Sequence, residues 1–281
     1  MRKILITGAN SYIGTSLEKY LRQWPEDYHV DTVDMIDGSW RQKDFHGYDS
    51  VFHVAGIAHQ KETRKNAHLY YEINRDLAVE TARKAQTDGV SQFIFLSSMS
   101  IYGVDTGVIT PQTMPRPKSY YGKSKWEAEL KLSEIGNPTF KIAILRPPMI
   151  YGLDCKGNFQ TLVKLARMLP VFPKMANQRS MLYIDNLMEF VKEIIDEKRL
   201  GIFFPQNKEY VNTYEMVKML GESIGRKIYP DYLSPILIMI GSCFCSKFRK
   251  AFGTLIYKNT ETMDYHYCIT DFAVSISKSI R

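Results

Sequence analysis

Short β-rich apolar runs alternate with stretches of helical spacing through the first half of this 281-residue chain, and that alternation limits the possible folds more than any other feature. Ile4 to Thr7 reads as a first strand. Ile13, Leu17, Tyr20 and Leu21 then recur at the spacing of a helix with one apolar face. Val30 to Asp34, Val51 to Val54, Phe93 to Leu96 and Ile142 to Leu145 read as further strands. The last two are continuously apolar, as strands covered on both faces are. Leu69 to Ala85 and Tyr120 to Glu134 have helical composition. Such alternation builds βαβ units, so the expected fold class is α/β with a doubly wound parallel sheet.

The pattern loosens after about residue 150, where Pro- and Gly-containing loops precede a helix from Asp185 to Glu197, a strand near Ile202 to Phe204 and a helix from Asn212 to Ile224. The expected division is a Rossmann-type nucleotide-binding domain over 1–150 and a smaller, mainly substrate-binding portion over 151–281, with some segments returning to the first domain. No internal repeat or low-complexity tract interrupts this scheme.

Directly after the first strand comes Thr7-Gly8-Ala9-Asn10-Ser11-Tyr12-Ile13-Gly14, opening the first helix. A tight glycine turn at that place lets backbone N–H groups and a helix N-terminus face a pyrophosphate. Gly8 makes the turn and Gly14 allows close helix–strand packing, while Ser11 holds the middle position where glycine is usual. A structural turn without ligand is the competing reading. Asp34, at the end of the second strand, is placed for a carboxylate to accept both adenosine ribose hydroxyls, with Asp31 and Asp37 as rivals. A carboxylate there repels a 2′-phosphate, which favours NAD over NADP.

Tyr121 and Lys125 stand four apart in Tyr121-Gly122-Lys123-Ser124-Lys125, hence on one face of a helix. Free tyrosine titrates near ~10, and a neighbouring ammonium favours phenolate. In isolation such a pair is as well explained by an ordinary surface contact. Ser97 and Ser98 follow the strand Phe93 to Leu96, at the carboxyl end of which a hydroxyl faces the crevice where α/β sheets bind ligands. Ser98 is preferred as the group that holds the substrate oxygen; Ser97 and Ser100 are alternatives, and a capping role competes for all three.

Taken together, the glycine loop, Ser97-Ser98 with Tyr102-Gly103, and Tyr121 to Lys125 resemble the NAD-dependent epimerase/dehydratase family of extended short-chain dehydrogenases/reductases. The likeness extends to about residue 225. The segment Leu145-Arg146-Pro147-Pro148-Met149-Ile150-Tyr151-Gly152 is similar to the family's strand-to-substrate loop. Lys156 to Phe159 and Arg179 to Leu187 look like the UDP-glucose 4-epimerase-like subgroup of surface-polysaccharide synthesis. The resemblance implies an NAD-dependent UDP-hexose or UDP-N-acetylhexosamine 4-epimerase acting through a 4-keto intermediate, with Ser98, Tyr121 and Lys125 catalytic. An NAD(P)H-dependent reductase of UDP-4-keto-6-deoxysugars is the first alternative and a non-catalytic dinucleotide-binding regulator the second.

The cofactor-binding residues it implies are Gly8, Asn10, Ser11, Tyr12, Ile13, Gly14, Asp34, Ala55, Gly56, Asn74, Ser97, Tyr121, Lys125 and Pro148. For the substrate it implies Ser98, Ser100, Met149, Asn158 and Arg179. A guanidinium fork at Arg179 suits a diphosphate, and Asn158 is equally consistent with a helix N-cap. Met149 stands where many relatives have asparagine, and the segment between Asp34 and Val51 is compressed. The resemblance further implies a homodimer.

The net charge is +7, with basic residues scattered among acids and no long Lys/Arg run, so no nucleic-acid partner is expected. Cys155, Cys243, Cys245 and Cys268 form no C-x-x-C pair, and the histidines are dispersed, so no metal site is expected and reduced thiols suit a cytoplasmic protein. No transmembrane segment is expected either. The stretch Ile236 to Phe252 mixes apolar residues with Lys247, Arg249 and Lys250 and reads as a lid or packing helix, or as a peripheral membrane contact.

Overall fold

The computed structural model describes residues 1–58, 60–235, 249, 252–259 and 264–280. In chain order it contains β1 (Arg2–Thr7), α1 (Tyr12–Leu21), β2 (Tyr28–Val33), β3 (Ser50–His53), α2 (Ala67–Tyr71), α3 (Leu77–Thr87), β4 (Gln92–Leu96), β5 (Gly107–Ile109) and α4 (Tyr120–Ile135). These are followed by β6 (Lys141–Leu145), β7 (Met149–Tyr151), α5 (Asn158–Met168), β8 (Val171–Pro173), β9 (Met181–Tyr183) and α6 (Ile184–Asp196). The last are β10 (Gly201–Phe203), α7 (Thr213–Ser223), β11 (Tyr229–Asp231), β12 (Leu255–Tyr257) and α8 (Phe272–Lys278).

The chain divides into two units. The first comprises 1–103, 115–147 and 187–205, the second 104–114, 148–186 and 206–281. In the first unit six strands pair in the order β10-β6-β4-β3-β1-β2, and every pairing is parallel. The doubly wound parallel sheet expected from the sequence is therefore present. Side-chain alternation sends Leu5, Val51, Phe93, Phe95, Ile142 and Ile144 into one core with Ala78, Ala82 and Ala85 of α3 and Ala128, Leu132 and Ile135 of α4. Each fully buried large side chain contributes on the order of 1.5–3 kcal/mol. On the opposite face Gly14 of α1 lies against Ile6, and the Gln92 amide donates to the Ile194 carbonyl of α6 at 2.9 Å. Both faces of the central strands are thus covered, which is why their sequence is continuously apolar.

The compressed segment 34–49 has a structural consequence. β2 is the sheet edge, and instead of a further strand outside it the chain makes a 3-10 turn at Ser39–Arg41. Trp40 and Phe45 from this segment join the core beside Leu5 and Val33. After β1 the chain crosses to β2 on one side, then returns to β3 on the other. The carboxyl ends of β1 and β3 therefore flank the switch point where open α/β sheets bind ligands.

The single helix expected over Leu69 to Ala85 is instead α2 and α3 joined by a π-helical segment, Glu72–Asp76. Such bulges recur at functional sites because one extra residue re-aims a side chain. Here the π segment carries the fully buried Asn74.

Among the described residues of the second unit, three parallel two-stranded pairs form: β7 with β9, β8 with β11, and β5 with β12. Its interior includes a polar network. Tyr151 shares hydrogen bonds with Ser275 and Asn207, and Asn186 bonds Asn207 and Thr270, so the last described segment is tied to β7 and β9. The expectation for Ile236 to Phe252 lies outside the described residues, apart from positions 249 and 252. Among the described residues no helix is long and apolar enough to cross a membrane, and no group of three or more His, Cys, Asp or Glu is placed to hold a metal ion.

Candidate active site

The turn after β1 is built on two glycines, each for a visible reason. Gly8 has φ of +92°, and a Cβ there would stand 3.0 Å from both the Cα and the N of Ala55, two residues past the end of β3. At Gly14 a Cβ would lie 2.7 Å from Ser11 Oγ and 3.2 Å from Ile6 Cγ2, so its absence lets α1 press onto β1. Asn10 takes the left-handed conformation, φ 63°, at the exposed tip. Ser11, where glycine is usual, has φ −73° and needs no glycine; its Oγ caps α1 by accepting the Gly14 N–H at 3.1 Å. The N–H groups preceding Gly14 in that first turn have no acceptor inside the helix. A cradle this tight, ending in a helix N-terminus, fits a pyrophosphate.

Asp34 follows the last residue of β2 and is exposed; its Oδ1 accepts the Ile36 N–H at 2.8 Å. Its two rivals are otherwise engaged. Asp31 accepts the Tyr48 hydroxyl at 2.6 Å, and Asp37 accepts the Ser39 N–H and hydroxyl. Beyond β3, the Ala55–Gly56–Ile57 turn is held by Asn74, whose Oδ1 accepts the Ile57 N–H at 2.8 Å while Nδ2 donates to the Ile57 carbonyl at 3.0 Å. Gly56 is required there: a Cβ would meet Asn74 Oδ1 at 2.8 Å and Lys125 Nζ at 3.4 Å.

Lys125 is almost fully buried, with Nζ donating to the Leu96 carbonyl at 2.8 Å and lying 4.5 Å from the centre of the Phe95 ring. Burial pulls its pKa down to about 7, and the Glu129 carboxylate works in the opposite direction. Burial pushes the Tyr121 phenol above its ordinary value, and the nearby Ser98 hydroxyl acts against it. Burial is the larger effect, so in the protein alone the phenol stands above its ordinary value and not below it, as the i,i+4 spacing leads one to expect. The Lys125 ammonium is turned to the Leu96 carbonyl at the end of β4.

Ser98 caps the 3-10 turn Met99–Tyr102 by accepting the Ser100 N–H at 3.1 Å, and its Oγ lies 3.2 Å from Ser100 Oγ. Ser97, the alternative, turns away: its buried hydroxyl donates to Glu129. Gly103 closes the turn with φ +64°, where a Cβ would collide with the Arg116 carbonyl.

Two features of the site go beyond the residues named from the sequence. Glu62, in the loop after β3, accepts the Tyr120 N–H at 2.9 Å and the Tyr121 N–H at 3.1 Å, while Ser119 accepts the Gly122 N–H at 3.0 Å. The first turn of α4 is thereby fully capped, and only the fold reveals Glu62. The second is a buried ion pair of Glu129 with Arg146, at 2.6 Å. A signal for it does exist, since Tyr121, Lys125 and Glu129 form one stripe of i,i+4 positions.

Pro148, Met149, Asn158 and Arg179 belong to the second unit. Pro148 is buried and Met149 opens β7. Asn158 is the exposed first residue of α5, and the capping position is Gly157, so the N-cap reading of Asn158 is corrected. Arg179 donates to the Gly253 carbonyl at 3.1 Å, its backbone bridges Val211 and Leu255, and burial lowers its pKa against the opposing effect of Asp105.

Known proteins are similar to this chain. The chain is 30% identical over 280 residues to a UDP-glucose 4-epimerase of Vibrio cholerae, covering 90% of this chain and 83% of the relative. It is 26% identical over 264 residues to the N-acetyl-alpha-D-glucosaminyl-diphospho-ditrans,octacis-undecaprenol 4-epimerase of Escherichia coli O157:H7, covering 86% and 78%. The crystal structure of UDP-glucuronic acid 4-epimerase from Bacillus cereus in complex with NAD superposes with a TM-score of 0.76 at 20% identity, over 99% of this chain and 97% of that one, and shares its fold. The profile of the NAD dependent epimerase/dehydratase family matches residues 4–201, and the chain belongs to that family of enzymes.

Proposed function

We propose that the protein is an NAD-dependent 4-epimerase of UDP-hexoses or UDP-N-acetylhexosamines, with Tyr121 as its proton-transfer residue. The observation that carries this reading is the convergence of Ser98, Tyr121 and Lys125 at the carboxyl end of β4, beside the Gly56 turn and the switch point of the sheet. In this reading the first unit holds NAD, and Met149, Asn158 and Arg179 bind the sugar nucleotide. The Gly8–Gly14 turn and α1 receive the pyrophosphate, Asp34 the adenosine ribose, and the Ala55–Gly56 turn with Asn74 the adjoining backbone of the cofactor.

NAD, when bound, supplies the acceptor and donor of the hydride by which a 4-hydroxyl becomes a 4-keto group and is reduced again. Tyr121 Oη takes the proton of the sugar 4-hydroxyl and later returns it. Ser98 Oγ holds the same substrate oxygen and stabilises the charge that develops there. In the cofactor-free protein the phenol stands above its ordinary range, so a positive charge brought beside it is needed to favour phenolate. Lys125, fixed by the Leu96 carbonyl, adds to that charge when protonated.

Purified protein incubated with a panel of UDP-hexoses and UDP-N-acetylhexosamines, without reductant, tests the reading by anomeric NMR signals. Interconversion of a pair of 4-epimers is expected. Turnover confined to a 4-keto-6-deoxy sugar with added NAD(P)H assigns a reductase instead, and conversion of only a polyprenyl-diphosphate-linked sugar overturns the UDP-sugar assignment.

A further inference from the structure

The buried charges beneath the site form a connected set. Glu129 and Arg146 side chains are only 2% and 6% exposed. Arg146 grips the carboxylate through Nε at 3.0 Å and a terminal nitrogen at 2.6 Å, and its other terminal nitrogen donates to the Tyr102 hydroxyl at 2.8 Å. The guanidinium also lies within 5.7 Å of the ring centres of Tyr102, Trp126 and Phe204. Ser97 donates its hydroxyl to the same carboxylate. The pair therefore holds both ends of the segment Ser97 to Tyr102, and Glu129 belongs to the helix that carries Tyr121 and Lys125.

We propose that the Glu129–Arg146 pair is a positioning device for the reaction: it clamps the Ser97–Tyr102 segment to α4 and so fixes where the Ser98 hydroxyl stands relative to Tyr121. Neither side chain touches the reacting atoms. The inference rests on the role given to Tyr121 under the proposed function. A buried ion pair is a poor source of net stability, since apolar replacements of similar volume are often neutral or stabilising. Geometry is the better account of this one, because its donors and acceptor tie together the two segments whose alignment matters.

An electrostatic consequence follows from the same contacts. The charged or titratable groups facing Lys125 are Glu129 on α4 and His53 on β3, and those facing Glu129 are Arg146, Tyr102 and Lys125. His53 is buried and held neutral, with its pKa down to about 3. Glu129 is thus the one anionic neighbour among these that sustains the Lys125 charge.

The test compares Arg146→Lys, which keeps the charge but not the fork, with a Ser97→Ala/Glu129→Leu/Arg146→Met triple variant, which removes the pair without leaving an orphaned ion. Urea unfolding, NAD affinity, kcat and KM are measured, together with the alkaline ultraviolet transition of Tyr121, isolated by subtracting the matching Tyr121→Phe protein. Expected is a folded triple variant with unchanged KM, kcat lower by roughly 100-fold, the loss typical of an ångström of misplacement, and a Tyr121 transition moved to higher pH. Arg146→Lys should fall between it and the unaltered protein, and it carries the comparison alone if the triple variant does not fold. Unaltered kcat and an unmoved Tyr121 transition overturn the proposal. If no sugar is turned over by any form, the proposed function fails, while the Tyr121 transition still decides whether the pair positions that phenol.

Discussion

Replacing Gly8 by alanine probes the dinucleotide cradle through two penalties that the structure separates. The first is conformational: φ is +92°, a region that costs an L-residue about 1–2 kcal/mol. The second is steric, because the new Cβ would stand 3.0 Å from both the Cα and the N of Ala55. The Ala55 backbone has little freedom to retreat, since Val54 N–H bonds the Thr7 carbonyl at 3.3 Å and β3 pairs along β1. Overpacking of this kind costs about 1–3 kcal/mol, for a total of about 2–5 kcal/mol. If the loop stays in place, the cost appears as lost stability; if it swings away, each 1.4 kcal/mol appears as about a tenfold loss of NAD affinity. Urea unfolding of cofactor-free protein and calorimetric titration with NAD should together recover the sum. Gly47→Ala is the control, because its φ of +83° is similar but nothing lies within 4 Å of the point a Cβ would occupy there. It should show only the first penalty and no change in NAD affinity. If the Gly8 and Gly47 variants behave alike in both assays, the cradle argument is wrong.

Asp34→Ala should weaken NAD by about 10- to 100-fold, the worth of hydrogen bonds to a charged acceptor, and narrow the preference over NADP. Asp31→Asn should leave that preference unchanged, because Asp31 is held by Tyr48 and His29; parallel titrations with both dinucleotides check this. His53 predicts acid sensitivity. Its folded pKa of about 3 lies below the ordinary 6.5, so the unfolded chain binds the proton first. Its contribution is intact above pH 6.5 and is lost progressively as pH falls toward 3, by at most about 5 kcal/mol. Urea midpoints across that range should fall less steeply in a His53→Gln protein than in the unaltered one.

Much of this architecture is legible in the sequence because its signals are local. Ile4 to Thr7 and Phe93 to Leu96 declare strands by composition, and Gly8 and Gly14 declare a turn that presses on a strand. Tyr121, Lys125 and Ser98 can be named because spacing and strand position place them. What stays hidden depends on distant parts of the chain. Nothing local marks Glu62 as a cap for α4, since the residues it serves are almost 60 positions away. The π segment at Glu72–Asp76 is invisible to a helical periodicity that it interrupts by a single residue. Ser97 and Ser98 are indistinguishable by type; the fold separates them by burying one hydroxyl on Glu129. The direction of the Tyr121 shift escapes a sequence argument for a related reason. Spacing places an ammonium on the same face, but it does not reveal that burial pulls its pKa down to about 7 or that the Leu96 carbonyl claims it.

The most direct trial of the account is the steady-state rate of Tyr121→Phe on whichever UDP-sugar the unaltered protein epimerises, with NAD affinity measured on the same preparation. Removing one hydroxyl should lower kcat by about 10²- to 10⁴-fold, the usual worth of a positioned acid–base group, with a far smaller effect on NAD affinity. A phenylalanine variant that epimerises at close to the original rate would show that the proton travels by another route, and the assignment of this site would fall with it.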